Sequence, residues 1–520
     1  MSMNIRRLKT SLLLAACLLG TTPAFSETVI NVGAFGADAN KLDPHLSGGG
    51  QDRALFGYMF NGLTRFAPGS MNPDDIENDL AESITGSDDG LVWTVVLRKG
   101  VQFHHGYGEL TAEDVVFSLD KARSPDTSAF ANTFGVISSV EALDTHTVRI
   151  TLSERTPTFI GLLANPAGGL VISKQAATEL AGDEKAALIG TGPFQFDSYT
   201  PKSQTVLVAH ADYFRGTPKV DRINYRYVES DNARELAFAA GEIDLFYGKR
   251  EQDWVDRMRK QYANDIAIDI FAPSQSRMLH LNQSVKPLDD IRVRQAIEHA
   301  INRDEFQMLI GQDITRQLRA PVPSGFLGQN IDVPVYDFDQ DKSRTLLAEA
   351  GYPDGLTLKV PTSKIGSLKL PFELIMEQLR RVGITLEVDF IDHRAWHALI
   401  RNNESPLVIY GAAPFPEADA FLTPFFHSAS IVGTATAQTN FSHCNVADAA
   451  IDKARSAADS TEQLEAWAAA QVSIMEAACV VPIFELQQVW GRRQSLDLGY
   501  ELTGTLNLGP PITENTTITR

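Results

Sequence analysis

The chain has 520 residues, a hydrophobic fraction of 43%, a charged fraction of 21% and a formal net charge of −19 at pH 7. This length is too great for one ordinary hydrophobic core and predicts two or three lobes, and the composition is typical of a globular rather than a disordered chain. The acidic charge argues against nucleic acid and against an anionic membrane surface as the main partner, although a local pocket can still bind an anion.

The N-terminal segment has the pattern of a secretory signal peptide. Three basic residues within the first nine positions precede an apolar run at residues 12–19, and the Ala-Phe-Ser sequence that follows offers a cleavage site before Glu27. Residues 14–17 also resemble a lipobox, so the alternative is a lipoprotein acylated at Cys17. The apolar run continues past Cys17 and an ordinary cleavage site follows it, which favours the signal peptide. Either cleavage predicts a mature chain outside the cytoplasm, in the periplasm or anchored at a surface, and no later apolar run is long enough to span a bilayer.

A short apolar strand at residues 29–33 and a turn at residues 42–45 precede a glycine-rich stretch, residues 46–52. Within this stretch, Gly49 and Gln51 are candidate ligand contacts, because glycine lets backbone N–H groups approach a ligand closely at the start of a helix. A plain flexible loop is the alternative interpretation. The stretch lacks the spacing of a P-loop.

Residues 88–123 predict a β-hairpin followed by a capped helix. Alternating apolar residues indicate a strand at residues 92–97, and Thr111 stands three residues before Asp114, as in a capping box, so a helix is expected from Ala112. Between them, the adjacent His104 and His105 would point to opposite faces if they lie on a strand. Since no acidic cluster or HExxH motif accompanies them, no metal site is predicted.

Several short motifs follow in chain order: GTGPF at residues 190–194, DYFRGTP at residues 212–218, AAGEID at residues 239–244 and PLDDIRVRQAI at residues 287–297. The last predicts a helix with an apolar face and with Arg292 and Arg294 on its solvated side. Together with residues 88–123, these motifs closely resemble, over nearly the whole chain, the bacterial family 5 solute-binding proteins, the extracytoplasmic receptors of dipeptide and oligopeptide ABC importers.

The resemblance implies an α/β fold of the two-lobed periplasmic binding protein (Venus-flytrap) type, with a small inserted lobe and two strands that cross between the main lobes near residues 273–282 and 482–490. It also implies a small-molecule ligand, an ABC permease whose transmembrane subunits receive it, a monomeric receptor and no cofactor. The expected divisions are a signal peptide at 1–26, lobe I at 27–72, 190–273 and 486–520, a small inserted subdomain at 73–189, and lobe II at 274–485.

No enzyme signature accompanies these motifs. The sequence contains no G-x-S-x-G elbow, no HExxH and no CxxC, and its histidines, serines and acidic residues are scattered. The sequence therefore favours a receptor, with a secreted hydrolase or a chaperone-like binder as alternatives.

The segment expected to select the ligand departs from the pattern of the resembled family. Peptide-binding members carry W-x-x-D shortly before a D/E-P pair, and that aspartate pairs with the peptide's α-amino group. If Glu417 takes the place of the acidic residue of that pair, Gly411 occupies the tryptophan position and Pro414 the aspartate position. The sequence thus predicts a non-peptide or modified ligand such as an opine, a sugar derivative or a sugar phosphodiester of the agrocinopine type. The alternative is a di- or oligopeptide receptor that uses Glu417 or Asp419 for the amine.

Arg277 is the leading candidate for binding an anionic group of the ligand, because a guanidinium can bind a carboxylate or phosphate bidentately; an inter-lobe salt bridge is the alternative. Lys364 is a second candidate for an anion, and Trp396 is either a stacking surface or a core residue. The remaining candidates lie on the crossing strands or in the departing segment: Gln275, Ser276, Tyr410, Phe415, Glu485 and Gln487.

Two cysteines remain beyond Cys17, namely Cys444 and Cys479. An oxidising compartment would allow them to form a disulfide if they lie close together, and two buried free thiols are the alternative. Their spacing in the sequence leaves both open.

Overall fold

The computed structural model describes residues 27–39, 41–47, 50–412, 417–433 and 439–519. The signal peptide predicted at residues 1–26 and the candidate contacts Gly49, Pro414 and Phe415 lie outside the described residues.

The strands, in chain order, are β1 Val29–Ala34, β2 Thr64–Phe66, β3 Ile76–Asn78, β4 Ala81–Gly86, β5 Val92–Leu97, β6 Ile137–Asp144, β7 Thr147–Leu152, β8 Phe194–Thr200, β9 Gln204–Ala209, β10 Arg222–Tyr227, β11 Leu245–Tyr247, β12 Ile266–Leu281, β13 Thr315–Gln317, β14 Leu356–Ser363, β15 Ile384–Ile391, β16 Leu407–Tyr410, β17 Val480–Arg493, β18 Leu496–Asp497 and β19 Thr517–Ile518.

The α-helices are α1 Gly50–Met59, α2 Ala112–Ala122, α3 Ala131–Phe134, α4 Phe159–Leu163, α5 Lys174–Glu179, α6 Asp231–Ala239, α7 Gln252–Gln261, α8 Ile291–Ala300, α9 Arg303–Ile310, α10 Gln340–Glu349, α11 Gly366–Arg380, α12 His393–Arg401, α13 Asp419–Phe426, α14 Asp448–Arg455 and α15 Ser460–Glu476. Strands and helices alternate along much of the chain, which is the pattern of an α/β fold.

Two long antiparallel strands, β12 and β17, form the centre of the molecule. In the first half of the pair, Ile266 of β12 lies opposite Arg493 of β17 and Phe271 lies opposite Gln488. The pairing is then interrupted, and the second half begins where Gln275 lies opposite Leu486. On the first side the sheet continues through β11, β1, β10, β9 and β8, and on the second side β16 pairs with β12 and β13 pairs with β17. The predicted two-lobed α/β fold with two crossing strands is confirmed, since both strands contribute to both lobes.

The inserted subdomain is built on a separate antiparallel sheet of the order β4-β5-β7-β6. Helix α2 buries Val115 and Leu119 in the core beside this sheet. The strand predicted at residues 92–97 and the helix predicted from Ala112 are both present, and the backbone N–H of Thr111 donates to the Asp114 carboxylate at 2.9 Å, as a capping box requires.

The two adjacent histidines do not lie on a strand. His104–Gly106 form a single 3₁₀ turn, and the His104 ring is buried against the GTGPF motif, where its Nδ1 accepts from the Gly190 N–H and its Nε2 contacts the Gly192 carbonyl at 3.0 Å. Burial lowers the pKa of His104 to about 3. This histidine is a neutral packing group that holds the turn between the inserted subdomain and lobe I.

Lobe II contains the parallel pair β14 and β15 together with α8 to α15. Within α8, the prediction that both arginines face solvent is wrong for Arg294. Its side chain is buried and donates to the carbonyls of Leu288, Asp289 and Ala477, whereas Arg292 is exposed and pairs with Asp290. Periodicity alone could not show this, because one of the carbonyls that Arg294 satisfies belongs to Ala477, which is 183 residues away along the chain.

Cys444 and Cys479 form a disulfide, with their Cα atoms 5.8 Å apart. The bond ties the segment before α14 to the residue that precedes β17, so one end of a crossing strand is covalently fixed to lobe II. The domain boundaries given above stay a prediction.

Candidate functional site

A cavity of about 710 Å³ opens beside the crossing strands. Its floor includes Gln275 and Arg277 of β12 and Phe484 and Leu486 of β17. Lobe I contributes residues 247–253, and lobe II contributes the end of α9 and the start of α11: Met308, Leu309, Ile310, Gly366, Ser367, Leu370 and Pro371. Because both lobes line it, a ligand held here would contact both.

Arg277 lies at the centre of the floor and is 4% exposed. Its Nη1 donates to the Ser276 carbonyl at 3.1 Å and its Nη2 to the Gln275 side-chain oxygen at 3.1 Å, while its buried Nε has no hydrogen-bond partner among the described residues. Burial, together with the positive charge of Arg250, lowers the pKa of Arg277 to about 9. The guanidinium is still charged at neutral pH.

Arg250 is the neighbour that the sequence did not single out. Its Nη1 donates to the same Gln275 oxygen at 3.1 Å, its Nε to the Gln487 carbonyl at 2.7 Å and its Nη2 to the Leu486 carbonyl at 2.5 Å. Arg250 follows β11 in a turn and has no motif around it, so only the pairing of β11 with β17 reveals its position beside the floor.

Gly411 leaves the space that the Arg277 guanidinium occupies. A Cβ atom at position 411 would lie 1.8 Å from Arg277 Nη1 and 2.6 Å from its Cζ. Any larger residue at this position would therefore displace the guanidinium. Gly411, where the sequence predicts a departure from the family pattern, and the candidate anion-binding residue Arg277 are thus in direct contact.

The aromatic candidates lie behind the floor. Trp396 is 1% exposed, so its ring is packed in the core, where it stacks on Tyr410 with centroids 6.3 Å apart. Tyr410, at the end of β16, is half-buried and pairs with Met278. In this conformation the Trp396 ring packs against Tyr410 and is not accessible to a ligand.

Ser276, Glu485 and Gln487 do not line this cavity. Ser276 donates through its N–H and its hydroxyl to the Ala412 carbonyl, and Glu485 accepts at 2.8 Å from both the N–H and the hydroxyl of Ser324. The Gln487 side chain, oriented so that its oxygen faces Arg316, accepts from that arginine at 2.7 Å. These three residues hold the strands and lobe II together beside the cavity.

Lys364 is largely exposed on the loop after β14, with its Nζ 4.0 Å from an Asp392 carboxylate oxygen. It does not line the cavity described above, although the adjoining residues of α11 do. Gln51 lies in the first turn of α1.

Glu417 and Asp419 line a different cavity, of about 820 Å³, between lobe II and the inserted subdomain. Burial and the negative charge of Asp419 raise the pKa of Glu417 to about 7, although a hydrogen bond with Thr158 of the inserted subdomain opposes this. Asp419 lies 3.4 Å from Arg455. The two acidic residues proposed for an amine therefore lie apart from the arginines of the first cavity.

Comparison with known proteins identifies the family. The model of the bacterial extracellular solute-binding proteins, family 5 Middle, matches residues 75–432. The chain belongs to this family. It is a substrate-binding protein of the ABC transport systems, as the sequence motifs predicted, and the family is extracytoplasmic. Among the described residues, no helix has the length and apolar character needed to cross a membrane.

One relative and two solved structures show the range of the family. The glutathione-binding protein of Escherichia coli O1:K1 / APEC is 30% identical over 484 residues, which cover 91% of this chain and 90% of that protein. The solute-binding protein MoaA from A. tumefaciens R10, solved in complex with mannopinic acid, is 42% identical with a TM-score of 0.80 and covers 95% of this chain and 100% of that one. The binding protein DppA from Helicobacter pylori, solved with the peptide STSA, is 27% identical with a TM-score of 0.75 and covers 95% of this chain and 98% of that one.

Proposed function

We propose that this protein is the receptor of an ABC importer for a small anionic, non-peptide ligand of the opine type. The observation that carries the proposal is the pair Arg250 and Arg277, two guanidinium groups on the floor of an inter-lobe cavity with no carboxylate in ion-pair distance among the described residues. A carboxylate of the ligand would supply the missing negative charge. The 42% identity to a protein solved with mannopinic acid supports the same ligand class.

Ligand binding is expected to favour closure of the two lobes. Residues 247–253 of lobe I and the α9 and α11 segments of lobe II face each other across the cavity, so a bound ligand touches both. Its binding free energy then favours the closed over the open population by the difference in affinity between the two states. The closed, loaded receptor would deliver the ligand to the permease, whose own ATPase supplies the transport energy. We assign this receptor no catalytic activity and no cofactor, and we expect it to act as a monomer in the periplasm.

A free peptide fits this arrangement less well. The two acidic residues that the sequence offers for an α-ammonium group, Glu417 and Asp419, line the other cavity, and Asp419 already faces Arg455. Of the acidic residues that line the first cavity, Asp231 pairs with Arg234, and Glu251 and Asp253 are exposed to water. A buried ammonium beside Arg250 and Arg277 would add a third positive charge, which is unfavourable in a low-dielectric site.

A thermal-shift panel tests the proposal. The purified mature protein is heated with N-substituted amino-acid opines, sugar phosphates, dipeptides and tripeptides, each at millimolar concentration. A ligand present at 100 times its Kd stabilises the folded state by about 2.7 kcal/mol, which is readily measured. We expect stabilisation by an opine and none by unmodified peptides. Stabilisation by ordinary peptides alone contradicts the ligand class, and chemical turnover of any bound compound contradicts the receptor assignment.

A further inference from the structure

The floor of the first cavity carries two positive charges in contact with the same neutral group. Arg250 Nη1 and Arg277 Nη2 each donate to the side-chain oxygen of Gln275 at 3.1 Å. Their other hydrogen-bond partners among the described residues are uncharged: the carbonyls of Ser276, Leu486 and Gln487, and the side chain of Tyr247. The two nitrogens bonded to Gln275 are therefore no farther apart than two hydrogen-bond lengths.

The acidic residues around the cavity do not neutralise this floor. Asp231 is bonded to the buried Arg234, and Glu251 and Asp253 are exposed at the rim, where water solvates them. Lys249, which also lines the cavity, adds a further positive charge. Within the described part of the chain, the guanidinium charges of Arg250 and Arg277 are therefore not neutralised by any carboxylate.

Such an arrangement is unfavourable for the unliganded protein. A buried charge without a counter-charge is costly, and two like charges that share one acceptor repel each other. The lowered pKa values of both arginines have the same cause, since burial disfavours their charged forms. One carboxylate of a ligand would neutralise only one of the two groups.

We propose that the substrate carries two carboxylates and that Arg250 and Arg277 bind one each. This inference rests on the proposed opine-type function and narrows it to derivatives of dicarboxylic amino acids. The short separation of the two guanidinium groups suits a glutamate-like unit, whose two carboxylates are joined by only three carbon atoms. Five N–H donors on each guanidinium leave donors free after the contacts to Gln275 and the carbonyls, and the buried Arg277 Nε is one of them.

Two probes that differ by one charge test the proposal. N-(1-deoxyhexityl)glutamate has two carboxylates, and N-(1-deoxyhexityl)glutamine has one because its side chain ends in an amide of nearly the same shape. Isothermal titration calorimetry of the wild-type protein is expected to show about 10- to 100-fold tighter binding of the glutamate derivative, as befits one additional charge-assisted hydrogen-bonded pair. The preference should shrink as the salt concentration rises.

Variants assign the effect to the two arginines. In Arg250→Gln and in Arg277→Gln, the affinity for the glutamate derivative should fall about 10-fold or more, and the preference over the glutamine derivative should fall to within about threefold in at least one of them. The matched control is Arg294→Gln, which removes a buried arginine bonded to carbonyls outside the cavity and should leave both affinities unchanged. The thermal midpoint of each unliganded variant is measured as well, and that of Arg277→Gln should lie close to the wild-type value, because the substitution leaves no carboxylate without its cation.

The possible results separate the two proposals. Equal affinity of the wild type for both derivatives overturns the two-carboxylate inference and leaves the opine-type function standing. A preference that survives in both arginine variants also overturns it. Binding of neither derivative, with stabilisation by a peptide or a sugar phosphate instead, overturns the proposed function and this inference together.

Discussion

Two clusters of arginine in this molecule, each with a buried member, differ in the presence of a counter-charge. In lobe II, Arg303 donates to the Glu298 carboxylate at 2.9 Å and to the Pro482 carbonyl at 2.7 Å. Beside the crossing strands, Arg250 and Arg277 have only neutral acceptors. Arg303 and Arg277 are buried to a similar degree, with 9% and 4% of their surfaces exposed. The difference shows that a carboxylate neutralises the buried charge of Arg303, whereas the charges on the floor of the cavity, where we propose that the ligand binds, have no such partner among the described residues.

The largest effect is expected from breaking the paired cluster. Arg303→Gln leaves the fully buried Glu298 without its cation and should lower the free energy of unfolding by about 3–4 kcal/mol. Arg277→Gln leaves no carboxylate without its cation. The free energy of unfolding of the unliganded protein should therefore fall by less than about 1 kcal/mol. Urea unfolding of both variants measures the difference. Equal losses would show that the two clusters do not differ as described.

The pH dependence of stability sharpens the same comparison. Burial raises the pKa of Glu298 to about 7, although Arg303 opposes this, whereas the pKa of an unfolded glutamate stays near 4.5. The folded state therefore binds the proton more tightly, and the stability that Glu298 contributes is present below pH 4.5 and is lost as the pH rises through 7. This loss amounts to up to about 3 kcal/mol.

Glu298→Gln removes this contribution. The difference in unfolding free energy between the variant and the wild type should grow in favour of the variant from pH 5 to pH 7.5. The buried histidines, whose lowered pKa values act in the opposite direction, are common to both proteins and cancel in the difference. A difference that is flat with pH would mean that Glu298 titrates at its ordinary pKa.

A counter-charge can be introduced between the unpaired arginines. Gln275→Glu keeps the shape of the side chain and places a carboxylate where the shared amide oxygen now lies. The unliganded protein should gain about 1–2 kcal/mol of stability, and an anionic ligand should bind at least about tenfold more weakly, because its charge is no longer needed.

Gln378→Glu is the matched control for this substitution. Gln378 is fully buried outside the cavity, and its Nε2 donates to Asn302 and Glu305, so a carboxylate there should destabilise the fold without altering ligand affinity. Calorimetric titration and thermal unfolding of both variants give the two readouts. Unchanged ligand affinity in Gln275→Glu would place the anion elsewhere.

The smallest effect is expected at Gly411. Gly411→Ala introduces a Cβ atom at 1.8 Å from Arg277 Nη1, so the guanidinium must shift, and ligand affinity should fall about 3- to 10-fold with little change in stability. Gly366→Ala is the control, because a Cβ at Gly366 meets no atom within 4 Å although this residue also lines the cavity. Equal affinities of the two variants would remove Gly411 from the determinants of specificity.

Much of the fold was accessible from local patterns. The strand β5, the start of α2 and the crossing strands β12 and β17 were predicted because alternation, a capping box and family motifs are local signals. Other features were not local. Arg294 was expected on the solvated face because helical periodicity does not report the distant carbonyl of Ala477. The pairing of Cys444 with Cys479 stayed open because spacing does not give distance.

The candidate site divides in the same way. The sequence indicated Arg277, Gln275 and Gly411 as separate candidates, and in the structure these three residues are in contact. Glu417 and Asp419, which were also candidates, line the other cavity. Arg250 was missed, since its importance lies in a contact with strands more than 20 residues away along the chain. The only signal in the sequence was a pair of basic residues, Lys249 and Arg250, directly after β11.

The sequence by itself indicated the family and the two-lobed architecture, and it predicted that Gly411 stands where peptide-binding members carry a tryptophan, because these inferences use residue types at fixed spacing. The tertiary structure alone decided that the vacated space holds the Arg277 guanidinium and that Arg250 lies beside it without a counter-charge. The physical reason is that charge balance is a property of distances of a few ångström in a buried site, and strand pairing, rather than chain order, sets those distances.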